Sequence, residues 1–289
     1  VNRNVERFAD RISDISSLPA IYVRINEVVN NPQACISDVA RIVSEDAGLT
    51  ARLLRLVNSS FFSFPARIDT VSQACVTVGL QHLRALALST SVMSVFRSIP
   101  RDMIDMNSFW RHNVACGVAA STLSQHCDAV NAETTFAAGI LHDVGRIALC
   151  QADPEKMGAA LARAHDDNML LFLAERAVFG FDHAALNAEL FRRWQFPASL
   201  VEVTGAHHSP THACRFPAEA AIVHVADITV HCARLGNSGE RFVPALDARA
   251  WRRTGLQPDV IKSVVKEVDK KFEEVIKIML PEDGTEAIA

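Results

Sequence analysis

Ala137-Ala138-Gly139-Ile140-Leu141-His142-Asp143-Val144-Gly145-Arg146 is the stretch on which the reading of this chain turns. A His-Asp doublet sits inside a run of apolar residues. Adjacent helical residues project about 100° apart, so the two side chains can meet one centre at a helix edge but cannot share a stripe. Gly139 and Gly145 lie within what otherwise reads as helix, each at a cost of about 1 kcal/mol relative to alanine. That cost points to close approach of another backbone.

Helical periodicity continues in both directions, and no alternating strand pattern interrupts it. Upstream, Val5, Phe8, Ile12 and Ile15 form one stripe, closed by Leu18-Pro19, and a second helix covers 20–30. Ser37 offers an N-cap for a helix bearing Val39, Ala40 and Val43, Gly48 breaks it, and Leu49, Leu53, Leu54 and Val57 open the next. Residues 80–96 carry Arg84 as their sole charge, so a buried helix is expected. Pro100, in the charged patch 98–105, marks a domain junction. Downstream, 104–127 is apolar on both faces and should be central; 132–150 reads as one helix. Further helices are expected at 154–165 behind the cap Asp153, at 169–179, and at 183–194 behind the cap Asp182. Others follow at 197–207, 219–235 and 258–279. The fold class is all-α: an N-terminal helical half (1–100) packed on a helical bundle (101–240), then a loop and amphipathic helix (241–289).

Composition agrees. The 289 residues are 49% hydrophobic and 21% charged, the balance of an ordinary globular protein and not of a disordered one. Twelve glycines and eleven prolines are few for a turn-rich β sandwich. A net charge of −4 gives no global attraction to nucleic acid or anionic membrane. Residues 37–58 superficially read as helix-turn-helix, but Gly48 falls too late after Ala40 and no basic stripe accompanies Arg52 and Arg55, so core packing is the expectation. Seven scattered cysteines without C-x-x-C read as reduced and mostly buried thiols of a cytoplasmic protein. No signal sequence opens the chain, and its longest uncharged stretch, 112–127, is too short and polar to span a bilayer. It opens on Val1 rather than Met, so a fragment or processed product is expected.

Eleven histidines stand beside one tyrosine. Several polar residues sit, like the doublet, in apolar helices: His112, His183, the pair His207-His208, and Asp227. Buried imidazole and carboxylate need partners, which one another or a metal would supply.

In order and spacing, His112, His142-Asp143 and Asp227 resemble the H…HD…D signature of HD-superfamily metal-dependent phosphohydrolases. His183 and His207-His208 add histidines seen in the HD-GYP phosphodiesterases. The whole is more similar to the HDOD domain, an HD-related output domain of bacterial signalling proteins. The carrying motifs are LPA (18–20), DAGLTARLLRLVNSS (46–60), VGLQHLRALAL (78–88), FWRH (109–112), AAGILHDVGRIAL (137–149) and VHVAD (223–227). The resemblance covers about 12–235. It implies that His112, His142, Asp143 and Asp227 are core ligands of one or two divalent transition metals (Fe, Mn, Zn or Ni), with His183, His207 and His208 completing a second position. Two such metals polarise a phosphodiester and generate hydroxide. Arg146 and His224 are expected to support the ligands, His224 by orienting Asp227 or else lying solvated on its helix; His82, His126, His165, His212 and His231 read as surface or capping residues.

The departures carry equal weight. Ser108 stands where the HD-GYP pattern can supply Glu, and Arg146 replaces the lysine expected after the doublet. Ser209-Pro210 follows His207-His208 in place of Glu, and Gly-Tyr-Pro occurs nowhere. Hydrolysis of cyclic di-GMP is therefore not expected. The leading expectation is a non-catalytic signalling module that binds a signalling partner or an upstream sensor or receiver domain. The alternatives are a phosphohydrolase using the seven ligands, and a module that senses a nucleotide or metal. The stripe Val264, Val268, Phe272, Val275 and Met279 would suit a homodimer seam; packing within its own domain is preferred, since three turns demand no partner.

Overall fold

The computed structural model describes residues 3–13, 20–29, 31, 33–95, 103–128 and 130–280. Leu18-Pro19 and most of the expected junction at 98–105 lie outside them, as does the His82 side chain. The described residues are helical with no strand. In chain order the helices are α1 (Arg3–Ser13), α2 (Ala20–Val29), α3 (Ile36–Ser44), α4 (Ala47–Val57), α5 (Val71–Val78), α6 (Leu80–Val95), α7 (Met106–Ser124) and α8 (Ala132–Leu141). There follow α9 (Val144–Ala152), α10 (Pro154–Asp166), α11 (Leu171–Phe179), α12 (His183–Arg193), α13 (Ala198–Ala206), a 3-10 turn (Pro210–His212), α14 (Pro217–Ala233), α15 (Ala248–Thr254) and α16 (Pro258–Met279). Among them none is long and apolar enough to cross a membrane.

The chain divides into two compact units. One comprises Leu18–Val95 and Asp269–Ala289. Its core is Tyr22, Ile25, Val39, Val43, Leu49, Leu53, Leu56 and Leu83, so the apolar faces of α3 and α4 are spent on packing. Asp46 caps α4 by accepting the Leu49 N–H at 2.8 Å, which moves the expected break at Gly48 two residues upstream. The α3 cap is Cys35 and not Ser37, its N–H bonded to the Asp38 carboxylate at 3.0 Å. The buried Arg84 donates to Asn26 Oδ1.

The other unit comprises Val1–Ser17 and Phe96–Val268, and α7 is its axis. From His112 to Ser124 every residue of α7 is buried, as two-faced apolarity requires. Its backbone touches that of α8: a Cβ on Gly139 would stand 2.7 Å from Gly117 Cα. The cost of that glycine is the expected close approach. Buried hydroxyls are satisfied locally, Thr122 and Ser124 each donating to the carbonyl four residues back at 2.8 Å. Asp153 and Asp182 cap α10 and α12 as expected.

Three expectations need correcting. Residues 132–150 form two helices that part at His142-Asp143. The Asn187 side chain takes the Leu141 and His142 carbonyls at 2.9 and 3.3 Å, and Gly145 lets α12 in so close that a Cβ there would lie 2.2 Å from His183 O. Helices α5 and α15 are additional; both are short, at eight and seven residues. Only Cys75, Cys116 and Cys150 are buried, Cys35, Cys214 and Cys232 are exposed, and none of the seven is paired. The α16 stripe is buried in the single chain.

Candidate metal centre

The helix ends and two helix midpoints of this second unit converge on one buried point. His142 closes α8 and Asp143 precedes α9, His183 opens α12, His207 closes α13, and His112 and Asp227 project from within α7 and α14. Asp143 occupies the N-cap position of α9 without capping it. A capping Asp is worth about 1 kcal/mol; here the carboxylate is turned inward instead.

Its two oxygens face different groups. Oδ2 lies 3.4 Å from His142 Nε2 and 4.0 Å from His112 Nε2. On that side His112 Nε2 is 3.1 Å and His142 Nε2 3.6 Å from Asp227 Oδ1. Oδ1 lies 2.9 Å from His183 Nε2 and 3.8 Å from His207 Nε2, and His208 Nε2 is 3.1 Å from His183 Nε2. All seven residues expected from the sequence are thus brought together. His208 alone is partly exposed; the others are buried.

The first group fits a divalent metal. His142 Nδ1 donates to Gly139 O at 2.7 Å, so the neutral ring carries its lone pair on Nε2, which is buried and makes no hydrogen bond. Orientation of a ligating imidazole through its other nitrogen is the usual arrangement. The second group lies beside a fixed cation. Arg146, 1% exposed, donates to Asp143 Oδ2 at 3.1 Å, Glu175 Oε1 at 3.2 Å and Ser238 Oγ at 2.7 Å, and lies against the His183 ring at 3.1 Å. Glu175 Oε2 accepts from His183 Nδ1 at 2.6 Å. His183 Nδ1 donates to Glu175, and its Nε2 lies 2.9 Å from Asp143 Oδ1; one donor atom each from Asp143, His183, His207 and His208 lies within 4.8 Å of the other three, so these four form a second set able to hold an ion.

An irregular strap of residues 236–240 covers this side. Asn237 N–H donates to Ser108 O at 3.0 Å, Ser238 accepts from Arg146, and Glu240 accepts the Leu171 N–H at 2.7 Å. Gly236 has φ +86°, and a Cβ there would lie 2.3 Å from His112 N.

Burial opposes every charge here, yet the charges compensate one another. Against burial, Arg146, His142 and His183 hold the Asp143 carboxyl well below its ordinary range; His231 and His112 do so for Asp227. Burial and Arg146 push His183 down, but Glu175 and Asp143 carry it up to about 9. Burial, with His142 and His183 adding to it, lowers His207 to about 3. A raised folded-state value means that the His183 charge stabilises the fold fully below its unfolded value near 6.5 and is lost as pH rises through about 9. The native state then binds more protons than the unfolded one, so stability falls with pH. In chelator-treated protein we expect the unfolding free energy to decline between pH 6.5 and 9.5 by an amount on the order of 3 kcal/mol, read as a falling Tm. A flat thermal-denaturation profile across that window would contradict the assignment.

Three members were not expected. His231, read as a surface residue, is half-buried against the site, its Nε2 3.3 Å from Asp227 Oδ1 and its ring centroid 4.5 Å from that of His112. It lies one turn beyond Asp227 on α14, as Cys116 lies one turn beyond His112 on α7; the (i, i+4) spacing was a legible signal for both. Glu175 had no such signal. The role expected of His224 at Asp227 falls to His231: His224 Nδ1 donates to His207 O at 2.8 Å and its Nε2 accepts the Asp247 N–H at 3.0 Å. His126, His165 and His212 are exposed as expected.

A helical bundle whose ordered His and Asp residues meet between helix ends defines a domain of the HD type. The HDOD domain model matches residues 15–210, and the chain belongs to that family. An uncharacterized protein of Treponema pallidum (strain Nichols) is 30% identical over 207 residues, which are 71% of this chain and 40% of the relative; the chain thus spans well under half the length of that protein. An HDOD domain protein of unknown function from Geobacter sulfurreducens superposes with a TM-score of 0.72 at 23% identity, over 96% of this chain and 97% of that one. A protein of Shewanella amazonensis SB2B, provisionally named a phosphohydrolase, gives 0.72 at 23% identity over 94% and 96%. At these identities the likeness is one of fold.

Proposed function

We propose that the chain is a cytoplasmic, non-catalytic regulatory module of bacterial signal transduction. It acts by binding another protein, either a signalling partner or a sensor or receiver domain. Its His/Asp centre, on this reading, serves to join helices and not to turn over substrate. His112, His142 and Asp227 would hold a divalent transition metal (Fe, Mn, Zn or Ni). When bound, such an ion supplies Lewis acidity and a cross-link between α7, α8 and α14.

The observation that carries this reading is Arg146. Its guanidinium neutralises Asp143 and Glu175 and flanks His183, a fixed cation beside the donors Asp143, His183, His207 and His208 that weakens their hold on a second ion. Burial supports it: Asp143 is 2% exposed and His142 not at all, so the doublet itself presents almost no surface to a phosphodiester. The phosphohydrolase reading draws on one feature, the two oxygens of Asp143 facing two groups. A panel of nucleotides and phosphodiesters with added Mn or Fe separates the two. We expect no product above that of a His142→Ala control; release above it would overturn the proposal.

A further inference from the structure

Cys116 takes no part in the signature by which the family is recognised, yet its sulfur faces the same point. Sγ lies 3.5 Å from His112 Nε2 and 3.9 Å from Asp227 Oδ1. One donor atom each from His112, Cys116, His142 and Asp227 lies within 4.8 Å of the other three, all four residues being buried. Zinc bonds of about 2.0–2.1 Å to nitrogen or oxygen and about 2.3 Å to sulfur give a tetrahedron with edges of roughly 3.3–3.6 Å. The separations seen are 3.1 Å for His112–Asp227, 3.5 Å for Cys116–His112, 3.6 Å for His142–Asp227 and 3.9 Å for Cys116–Asp227. They bracket those edges.

A second observation points to a ligand independently. His142 Nε2, in the same set, is buried, makes no hydrogen bond and is oriented by Gly139 O. Two donors come from consecutive turns of α7, one from the end of α8 and one from the middle of α14, so the set joins three helices.

We propose that Cys116 is the fourth ligand of a mononuclear zinc centre made by His112, Cys116, His142 and Asp227. This rests on the reading above that the centre holds a metal. A thiolate beside two imidazoles and a carboxylate selects zinc over manganese or magnesium. With four protein donors the shell is closed, as in structural sites, and leaves no position for a reacting water. The Cys116 thiol loses its proton to solvent as the Zn–S bond forms, so loading releases acid. Asp143, in this arrangement, stays with Arg146.

X-ray absorption of the zinc-loaded protein tests this without altering the chain. We expect one sulfur scatterer per zinc at about 2.3 Å with the remainder at about 2.0–2.1 Å. Cys116→Ser should remove the sulfur, whereas a variant with Cys35, Cys127, Cys214 and Cys232 all changed to Ser should retain it. That second variant keeps the test decisive if Cys116→Ser does not fold. Stoichiometric zinc in a shell of nitrogen and oxygen alone, or sulfur persisting in Cys116→Ser, would overturn the proposal and leave the metal centre standing. A chain that retains none of zinc, iron, manganese or nickel would remove both.

Discussion

Replacing Arg146 by methionine should cost about 3–5 kcal/mol, the range seen when one partner of a buried ion pair is removed. Methionine roughly fills the volume, so the loss is electrostatic. Asp143 and Glu175, 2% and 0% exposed, would each keep a desolvated charge without its guanidinium partner, and Ser238 would lose the donor to its hydroxyl and carbonyl. For a chain of this size, that is a fall in Tm of roughly 6–20 °C. Arg146→Lys should recover part of it: the charge returns, but a lysine cannot serve Asp143, Glu175 and Ser238 together as the guanidinium fork does. Adding Glu175→Gln to Arg146→Met should recover another part by deleting one stranded charge. Denaturant titration of the three variants measures these differences. A loss below about 1 kcal/mol for Arg146→Met, the value of an exposed pair, would show that the guanidinium is not what holds the cluster.

Gly145→Ala should be comparably damaging although it adds one methyl group. The new Cβ would stand 2.2 Å from His183 O and 3.0 Å from Asn187 N, both backbone atoms that cannot swing aside. Relief requires α9 and α12 to separate, and with them Asp143 and His183, now 2.9 Å apart. Overpacking a tight interior typically costs 1–3 kcal/mol, and a backbone clash puts this variant at about 3 kcal/mol or more. Gly158→Ala is the control, because nothing lies within 4 Å of its would-be Cβ and an unstrained helical Gly→Ala gains up to about 1 kcal/mol. Equal stability of the two variants, by chemical denaturation, would refute the close-packing account.

Much of this centre was legible because burying polar groups is expensive. Histidines and aspartates in apolar helices had to meet something, and flanking glycines signalled that another backbone was near. The break at His142-Asp143 was not legible. It is imposed from α12, where Asn187 lies 45 residues away, and local periodicity contains no trace of such a contact. Glu175 was hidden for the same reason: within Leu171–Phe179 it reads as one charge on a short amphipathic helix, and only the fold brings it to Arg146, 29 residues distant. Cys116 and His231 are different, since helical spacing places each beside an expected ligand. Helix α15, Ala-Arg-Ala-Trp-Arg-Arg-Thr, offers too few apolar residues for periodicity to show.

The strap at 236–240 turns occupancy of the centre into a question of time. Asn237, Ser238 and Glu240 are tied to Ser108, Arg146 and Leu171, and Gly236 admits no side chain against His112. Anything that enters or leaves from this face must wait for several such bonds to open together, at a free energy well above that of loop fraying. The strap also lies beyond residue 210, where the match to the family ends. Exchange of the centre with solvent through this face is thus governed by residues that lie outside the stretch matched by the family.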